Sequence, residues 1–400
     1  MLVLLAHPLH GQAPSSQGPQ EDEPYHDFRL QTLEYFGPVG EGPDPTSLTE
    51  VHIGWFGPSD PAHPLHGDLW TAASQAVEEV NEAGGLHGLA VRLIPRWSEN
   101  PWGTGVGQIA RMVHQDQVLA ILGSVDGPGT HLAEQVVVKA RLPLVSPVST
   151  DESVNLAGVP WMFSVAPGDH IWAPLLARGM LARIGEGDFA LLATTDHDSR
   201  MAARELLQEL AALDRGPVLR IDLQPGVTDP TPELKRFGAL SPAAALVIAP
   251  AGDGATLVRA LRDLDFTGAI FGGPQVGRRL FFATSGEAGE GVVFPLLYES
   301  NGATAERFSQ RFRERTGNEP DWAAAHTYDA TRLLLQAIAQ ADLSRVAIRQ
   351  ALIELSPWRG VTGIVEWDPT GQSRRPVTRL ATIREGKVVP AADHRISTPD

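Results

Sequence analysis

The stretch Val51 to Trp97, VHIGWFGPSDPAHPLHGDLWTAASQAVEEVNEAGGLHGLAVRLIPRW, places a strand, a helix and a second strand in direct succession. Val51-His52-Ile53-Gly54-Trp55 is a short β-branched and aromatic run that ends in the turn Gly57-Pro58-Ser59-Asp60. Leu69, Ala72, Ala73, Ala76, Val77 and Val80 then recur at helical spacing, and Gly84-Gly85 supplies the left-handed stop expected just past a helix C-terminus. Leu89 to Trp97 reads as the next strand.

The alternation continues outward from this unit. Val106, Ile109, Ala110 and Val113 form one helix face, Val118 to Leu122 is a buried strand ending in Gly123, and a helix through Leu132, Ala133, Val136 and Val137 leads to a strand at Leu144-Val145. A second series starts after Val165-Ala166-Pro167-Gly168. It has strands at Phe189 to Ala193, Val218 to Leu223, Ala245 to Ile248 and Ala269 to Phe271, with helical segments between them. Near-continuous apolar strands alternating with amphipathic helices indicate parallel sheets covered on both faces. Beyond Gly291 to Phe294 the pattern turns helical over Ala303 to Thr316 and Trp322 to Ala341, before strands near Gly363 to Trp367 and Val377 to Ile383. Helices so late in the chain have to cover an earlier sheet, so crossings between lobes are expected near Val165, Val293 and Val365.

The expected architecture is α/β: two Rossmann-like parallel-sheet lobes joined by a three-segment hinge. Residues 1–50 are expected to be a signal remnant and extension, 51–165 with 294–364 the first lobe, 166–293 with 365–390 the second, and 391–400 a tail. Met1 to Leu5 looks like the end of an apolar signal core, with Gly11-Gln12-Ala13 offering small residues for cleavage. A basic n-region is missing, and an ordinary chain terminus is the alternative reading. Pro14 to Ser47, rich in Pro, Gly, Gln and acids, is expected to lack a core of its own.

A chain of 400 residues suits two domains of this size. The formal net charge of −16 argues against nucleic acid and anionic membrane surfaces as partners. No stretch approaches the roughly 18 to 20 apolar residues needed to cross a bilayer. The absence of cysteine removes disulfides, thiol nucleophiles and thiolate metal sites. Ser199 lacks a Gly-x-Ser-x-Gly elbow, no phosphate loop is present, and Gly123 to Thr130 is out of register for a dinucleotide site. No enzyme activity and no cofactor are expected.

Ligands collect at the carboxyl ends of parallel strands, so six loops are candidates. In the first lobe these are Gly57 to Gly67, Gly123 to Thr130 and Pro147 to Thr150; in the second, Thr194 to Ser199, Ala251 to Gly254 and Gly272 to Gln275. Any one of them is explained by turns and N-caps. At equivalent strand ends of two lobes, together they describe a cleft. Ala6-His7-Pro8-Leu9-His10-Gly11 recurs as Ala62-His63-Pro64-Leu65-His66-Gly67. His63 and His66 with Asp60 or Asp68 could ligate zinc, but Pro64 prevents a regular helix from organising the pair, and no metal site is expected.

With these segments in view, the chain resembles the type I periplasmic binding proteins of the leucine/isoleucine/valine-binding family of ABC importers, from about Val51 to Ile383. The segments that carry the likeness are Val80 to Gly88, Ile121 to Ser124, Leu144 to Thr150 and Ala325-His326-Thr327-Tyr328-Asp329-Ala330. The resemblance implies an extracytoplasmic protein that closes on a small molecule, an amino acid or analogue, and delivers it to an ABC permease in the membrane. A sensory module of the same architecture is the alternative. Carried across, Ser124, Asp126, Gly127, Ser149 and Thr150 would hold a ligand carboxylate and part of its ammonium, with His66 on the same wall. In the second lobe the family's two aromatics are replaced near Asp198 and Ala251, and its ammonium-pairing acid by Gln275, so Asp198 or Asp253 would have to supply the negative charge. A purely structural role for Asp198, capping a helix that begins near Arg200, is the competing expectation.

Overall fold

The computed structural model describes residues 48–391. The signal remnant, the extension up to Ser47, the His7/His10 copy of the repeat and nearly all of the C-terminal tail lie outside the described residues.

The first lobe is laid down as β1 (Glu50–Phe56), α1 (Gly67–Glu82), β2 (Ala90–Arg96), α2 (Val106–His114), β3 (Ala120–Gly123), α3 (Gly127–Ala140), β4 (Leu144–Ser146), α4 (Ser153–Leu156) and β5 (Met162–Ser164). Its strands form an all-parallel sheet in the order β2-β1-β3-β4-β5. The period-2 alternation of strand side chains sorts them onto two faces. Val51, Ile53 and Trp55 enter one apolar cluster with α1, whereas Phe56 and Ile121 enter another with α2 and α3. Gly85 ends α1 at φ +78°, and a Cβ there would stand 2.1 Å from the Leu89 carbonyl oxygen, so this exit accepts glycine alone.

The second lobe runs α5 (Asp169–Ile184), β6 (Phe189–Thr194), α6 (His197–Ala212), β7 (Leu219–Leu223), α7 (Thr231–Leu240), β8 (Ala244–Ile248), α8 (Ala251–Asp263), β9 (Ala269–Gly272), α9 (Arg279–Ser285) and β10 (Val293–Pro295). Three helices follow, α10 (Ala303–Thr316), α11 (Trp322–Gln340) and α12 (Arg345–Glu354). The hairpin β11 (Trp358–Arg359) and β12 (Ile364–Val365) and the strands β13 (Leu380–Arg384) and β14 (Lys387–Pro390) complete the described chain. The second sheet is ordered β14-β13-β10-β9-β8-β6-β7, parallel from β10 through β7 and antiparallel at β13 and β14.

Sheet membership dates the crossings. The first falls between β5 and α5. The second follows β10, which belongs to the second sheet, so it lies at 296–302, beyond the expected Val293. The third is later than Val365: β12 pairs only with β11, and Gln372 still bridges to Ser164 beside the first sheet, so the chain leaves after 373. The strand expected near Gly363 to Trp367 is one arm of this small hairpin and joins neither large sheet, because residue type does not report the partner.

α11 shows what the segment Ala325 to Ala330 does. Tyr328 donates from its hydroxyl to Glu79 Oε2 at 2.6 Å, tying α11 to α1. The Asp329 carboxylate accepts from Val361 N, Thr362 N and Thr362 Oγ1 at 2.8, 2.8 and 2.6 Å, pinning the turn before β12. His326, fully buried, lies with Nδ1 2.7 Å from the Trp322 carbonyl oxygen and Nε2 3.3 Å from Arg375 Nη1. Burial first, and then the Arg375 charge, push its pKa down to about 3. The unfolded chain takes up a proton near pH 6.5 while folded His326 does not, so stability is full above that pH and is lost as pH falls through the window. The slope is roughly 1.4 kcal/mol per pH unit. Urea midpoints of the wild type and His326→Gln at pH 7.5 and 5.5 check this: the variant should show the shallower loss, and identical losses would contradict it.

Candidate binding cleft

Both sheets share the order 2-1-3-4-5 in their parallel part, which puts a topological switch point between β1 and β3 in one lobe and between β6 and β8 in the other. The loops leaving these strands meet in one cavity of about 230 Å³. Leu65, His66, Val125, Asp126 and Thr150 enter from the first lobe, and Trp172, His197, Asp198, Gln275 and Arg278 from the second. Larger depressions of about 750 and 430 Å³ exist, but the first is lined around Pro160 and Trp367 and the other around Phe294 and Val388. Neither gathers strand ends from both sheets.

Two further buried residues with charged side chains line the cavity, and neither was singled out from the sequence. Asp169, 1% exposed at the start of α5, accepts from Trp172 Nε1 at 2.9 Å and from the Thr150 hydroxyl. Burial pushes its carboxyl well above the usual range, and the charges of Asp151 and Asp198 add to this against those two hydrogen bonds. Arg278, 4% exposed, donates from Nε to Asp321 Oδ2 at 2.8 Å and from Nη2 to the Leu65 carbonyl oxygen at 2.5 Å. The only legible signals were an acid directly after the Pro167-Gly168 crossing and an Arg pair after Gly277, and either would pass for surface charge.

The rims hold the lobes together. On one side Arg279 makes a two-pronged pair with Asp68 at 2.7 and 2.9 Å, beside the Arg278 bridge to Leu65. On the other, Gly127 N donates to both oxygens of Asp198 at 3.1 and 3.3 Å, and His197 Nε2 lies 2.7 Å from Asp151 Oδ2. A Cβ at Gly127 would stand 2.4 Å from Asp198 Oδ1 and 3.0 Å from Asp151 Oδ2, so glycine is what allows this approach.

The residues expected from the sequence divide. His66, Asp126, Thr150, Asp198 and Gln275 line the cavity, and Gly127 stands at its rim. His66 is held neutral, its pKa pushed down to about 3 by burial and by Arg278, and its buried Nδ1 has no partner among the described residues. Asp126 is the N-cap of α3, accepting from Gly129 N at 2.7 Å, and Ser124 spends its hydroxyl on Asp126. Ser149 is buried with its Oγ unpartnered but does not line the cavity.

Ala251 and Asp253 are not brought to the cavity. Ala251 is sealed in the second lobe's apolar core, and Asp253 accepts from Gly226 N at 2.9 Å, because the first turn of α8 faces the loop after β7. The capping role considered for Asp198 belongs to Asp196, which accepts from Ser199 N at 3.0 Å at the start of α6. Asp198 is thereby free to cross the cleft, and burial, with the charges of Asp126 and Asp151, pushes it up to about 7.

Comparison with known proteins agrees with this geometry. A family profile described as periplasmic binding protein matches residues 50–387. An amino acid binding protein of Pseudomonas aeruginosa is 25% identical over 342 residues, covering 81% of this chain and 88% of that protein. The crystal structure of the branched-chain amino acid transporter substrate binding protein LivJ from Streptococcus pneumoniae, in complex with isoleucine, superimposes with a TM-score of 0.76 at 20% identity. It covers 86% of this chain and 100% of its own. The leucine binding protein LivK of Thermotoga maritima gives the same TM-score at 22% identity, covering 86% and 98%. On the matched profile, with a fold shared with those two structures, the chain belongs to the periplasmic binding protein family.

Proposed function

We propose that this chain is an extracytoplasmic solute-binding protein that closes on a small amphoteric molecule, an amino acid or close analogue, and presents it to an ABC permease. The observation that carries the reading is that one inter-lobe cavity is lined by the buried Arg278 guanidinium and by the Asp169 and Asp198 carboxyls. The Arg278 guanidinium favours an anionic group, while Asp169 and Asp198 favour a cationic one. The volume, about 230 Å³, falls below the roughly 300 to 1,000 Å³ of pockets for drug-sized ligands, which suits a compound of amino-acid size. Gln275 leaves the ammonium role to the two aspartates. The amino acid binding relative supports the ligand class. No helix among the described residues is long and apolar enough to cross a membrane, consistent with a separate permease as partner.

A sensory role for the same closed form is the second reading. It is favoured by a relative of Halobacterium salinarum, 24% identical over 302 residues, named as a chemotactic signal transduction system substrate-binding protein.

A thermal-shift screen of amino acids, amines and carboxylates tests the ligand class. A compound at about 100 times its dissociation constant stabilises by about 2.7 kcal/mol. Zwitterions should raise the midpoint while their amine-only and acid-only analogues do not; stabilisation by plain carboxylates alone would remove the role given to the aspartates.

A further inference from the structure

At the rim of the cavity three metal-ligating side chains converge from segments far apart in sequence. His131 comes from α3, Asp151 follows Thr150 in the loop after β4, and His197 opens α6 in the other lobe. Their ligand atoms all lie within 4.8 Å of one another. His197 Nε2 is 2.7 Å, and His131 Nε2 3.6 Å, from the same oxygen, Asp151 Oδ2. The two rings stand edge to face, 5.8 Å apart and inclined at 82°, so both nitrogens can address one point. Asp151 is 2% exposed, and its other oxygen accepts from Ser153 N at 2.9 Å, which fixes the plane of the carboxylate.

These separations fit an ion. Donors held at about 2.0 to 2.1 Å from a tetrahedral zinc stand roughly 3.3 Å from each other. Two of the three edges, 2.7 and 3.6 Å, bracket that value, and the third, between the two imidazoles, is at most 4.8 Å. Reaching the tetrahedral value takes a retreat of about 0.6 Å at His197, which is partly exposed, and an approach of about 0.3 Å at His131.

A second observation points the same way. His131 Nδ1 lies 3.1 Å from Oε2 of Glu134, a residue 3% exposed whose buried Oε1 has no hydrogen-bond partner among the described residues. A carboxylate on the far nitrogen of a ligating imidazole holds the Nδ1–H tautomer and leaves Nε2, which lies 2.9 Å from the Ser153 hydroxyl oxygen, as a basic lone pair that a metal would take over from that contact. As a structural element alone, a buried carboxylate with one idle oxygen is costly. As the outer partner of a dication it is favourable.

We propose that His131, Asp151 and His197 bind a divalent transition-metal ion of the zinc type that pins the two lobes together at the rim of the cavity. Two imidazoles and a carboxylate are zinc-type donors, and the remaining position is open to water. Because two ligands belong to the first lobe and one to the second, the full ligand set exists only when the lobes are closed. Metal binding and lobe closure therefore favour each other, and any ligand that selects the closed form shares in that coupling. The His63/His66 pair is a different and poorer arrangement. Its rings stack at 5.0 Å, and His63 Nδ1 already accepts from the backbone N–H groups of Leu65 and His66.

The test is calorimetric titration of the chelator-stripped full chain with zinc chloride, with no other ligand present, alongside His197→Gln, His131→Gln, Glu134→Gln and, as a control, His63→Ala. One ion per chain is expected. Either ligand substitution should weaken it by at least roughly 100-fold, and Glu134→Gln by roughly 10- to 100-fold, with the folded state retained by circular dichroism. His63→Ala should bind like the wild type. Small-angle scattering should show compaction of the wild type by zinc and none for His197→Gln. No binding to the wild type, or affinity that survives both His131→Gln and His197→Gln, overturns the site. Equal scattering with and without zinc overturns the bridging of the lobes.

Discussion

Replacing Asp169 by Asn should weaken binding of the best ligand found by screening about 10²- to 10³-fold, the range for losing one partner of a buried charge pair. The unliganded chain should be at least as stable as the wild type. The two effects separate because the carboxylate is poorly accommodated without a cation. It is 1% exposed, its pKa is pushed up by burial, and Asp151 and Asp198 repel its negative charge. Asn keeps an oxygen in place for Trp172 Nε1, so the packing at the start of α5 is retained. What is lost is the charge that a ligand ammonium would neutralise. Calorimetric titration gives the affinity and thermal unfolding the stability. An unchanged dissociation constant removes Asp169 from the site, and a marked fall in unliganded stability would mean that its role is structural.

Arg278→Ala should cost roughly 3 to 5 kcal/mol of unfolding free energy, the range for removing one member of a buried ion pair. Arg278 and Asp321 have side chains only 5% and 4% exposed. Although burial alone would raise it, Asp321 is held below the usual carboxylate range by Arg278 and by backbone N–H groups. Without the guanidinium, a buried carboxylate keeps only its backbone donors from Arg279, Ala323 and Ala324. Because those donors remain, the lower end of the range is expected. The substitution also removes the bridge to the Leu65 carbonyl, so affinity should fall along with stability. Arg313→Ala supplies the contrast: its pair with Glu319 is 50% and 65% exposed, and such pairs contribute about 0.2 to 1 kcal/mol. Urea unfolding of both variants decides the matter, and a loss at Arg278 no larger than that at Arg313 would contradict the argument.

The amino-acid order alone determined most of the longer elements and their class, because those depend on interactions within a few residues, but it did not mark β5, α9, α12 or β14. The alternation in Val51 to Trp55 and the helical spacing from Leu69 to Val80 were legible locally. So was the left-handed glycine exit at Gly85, and the repetition of such units twice over implied two lobes with ligand loops at their strand ends. Of the residues proposed from those loops, His66, Asp126, Thr150, Asp198 and Gln275 do line the cavity. Ala251 and Asp253 do not, because the rotation of α8 about its axis is set by packing that the loop sequence does not express. Only the tertiary structure could decide partners distant in sequence. It brought Asp169 and Arg278 to one cavity, seated Arg278 on Asp321, and carried His197 across the cleft to Asp151. It also placed the second and third crossings after 295 and 373, since pairing with a sheet is a contact between chain segments and leaves no mark on the residues of either one alone.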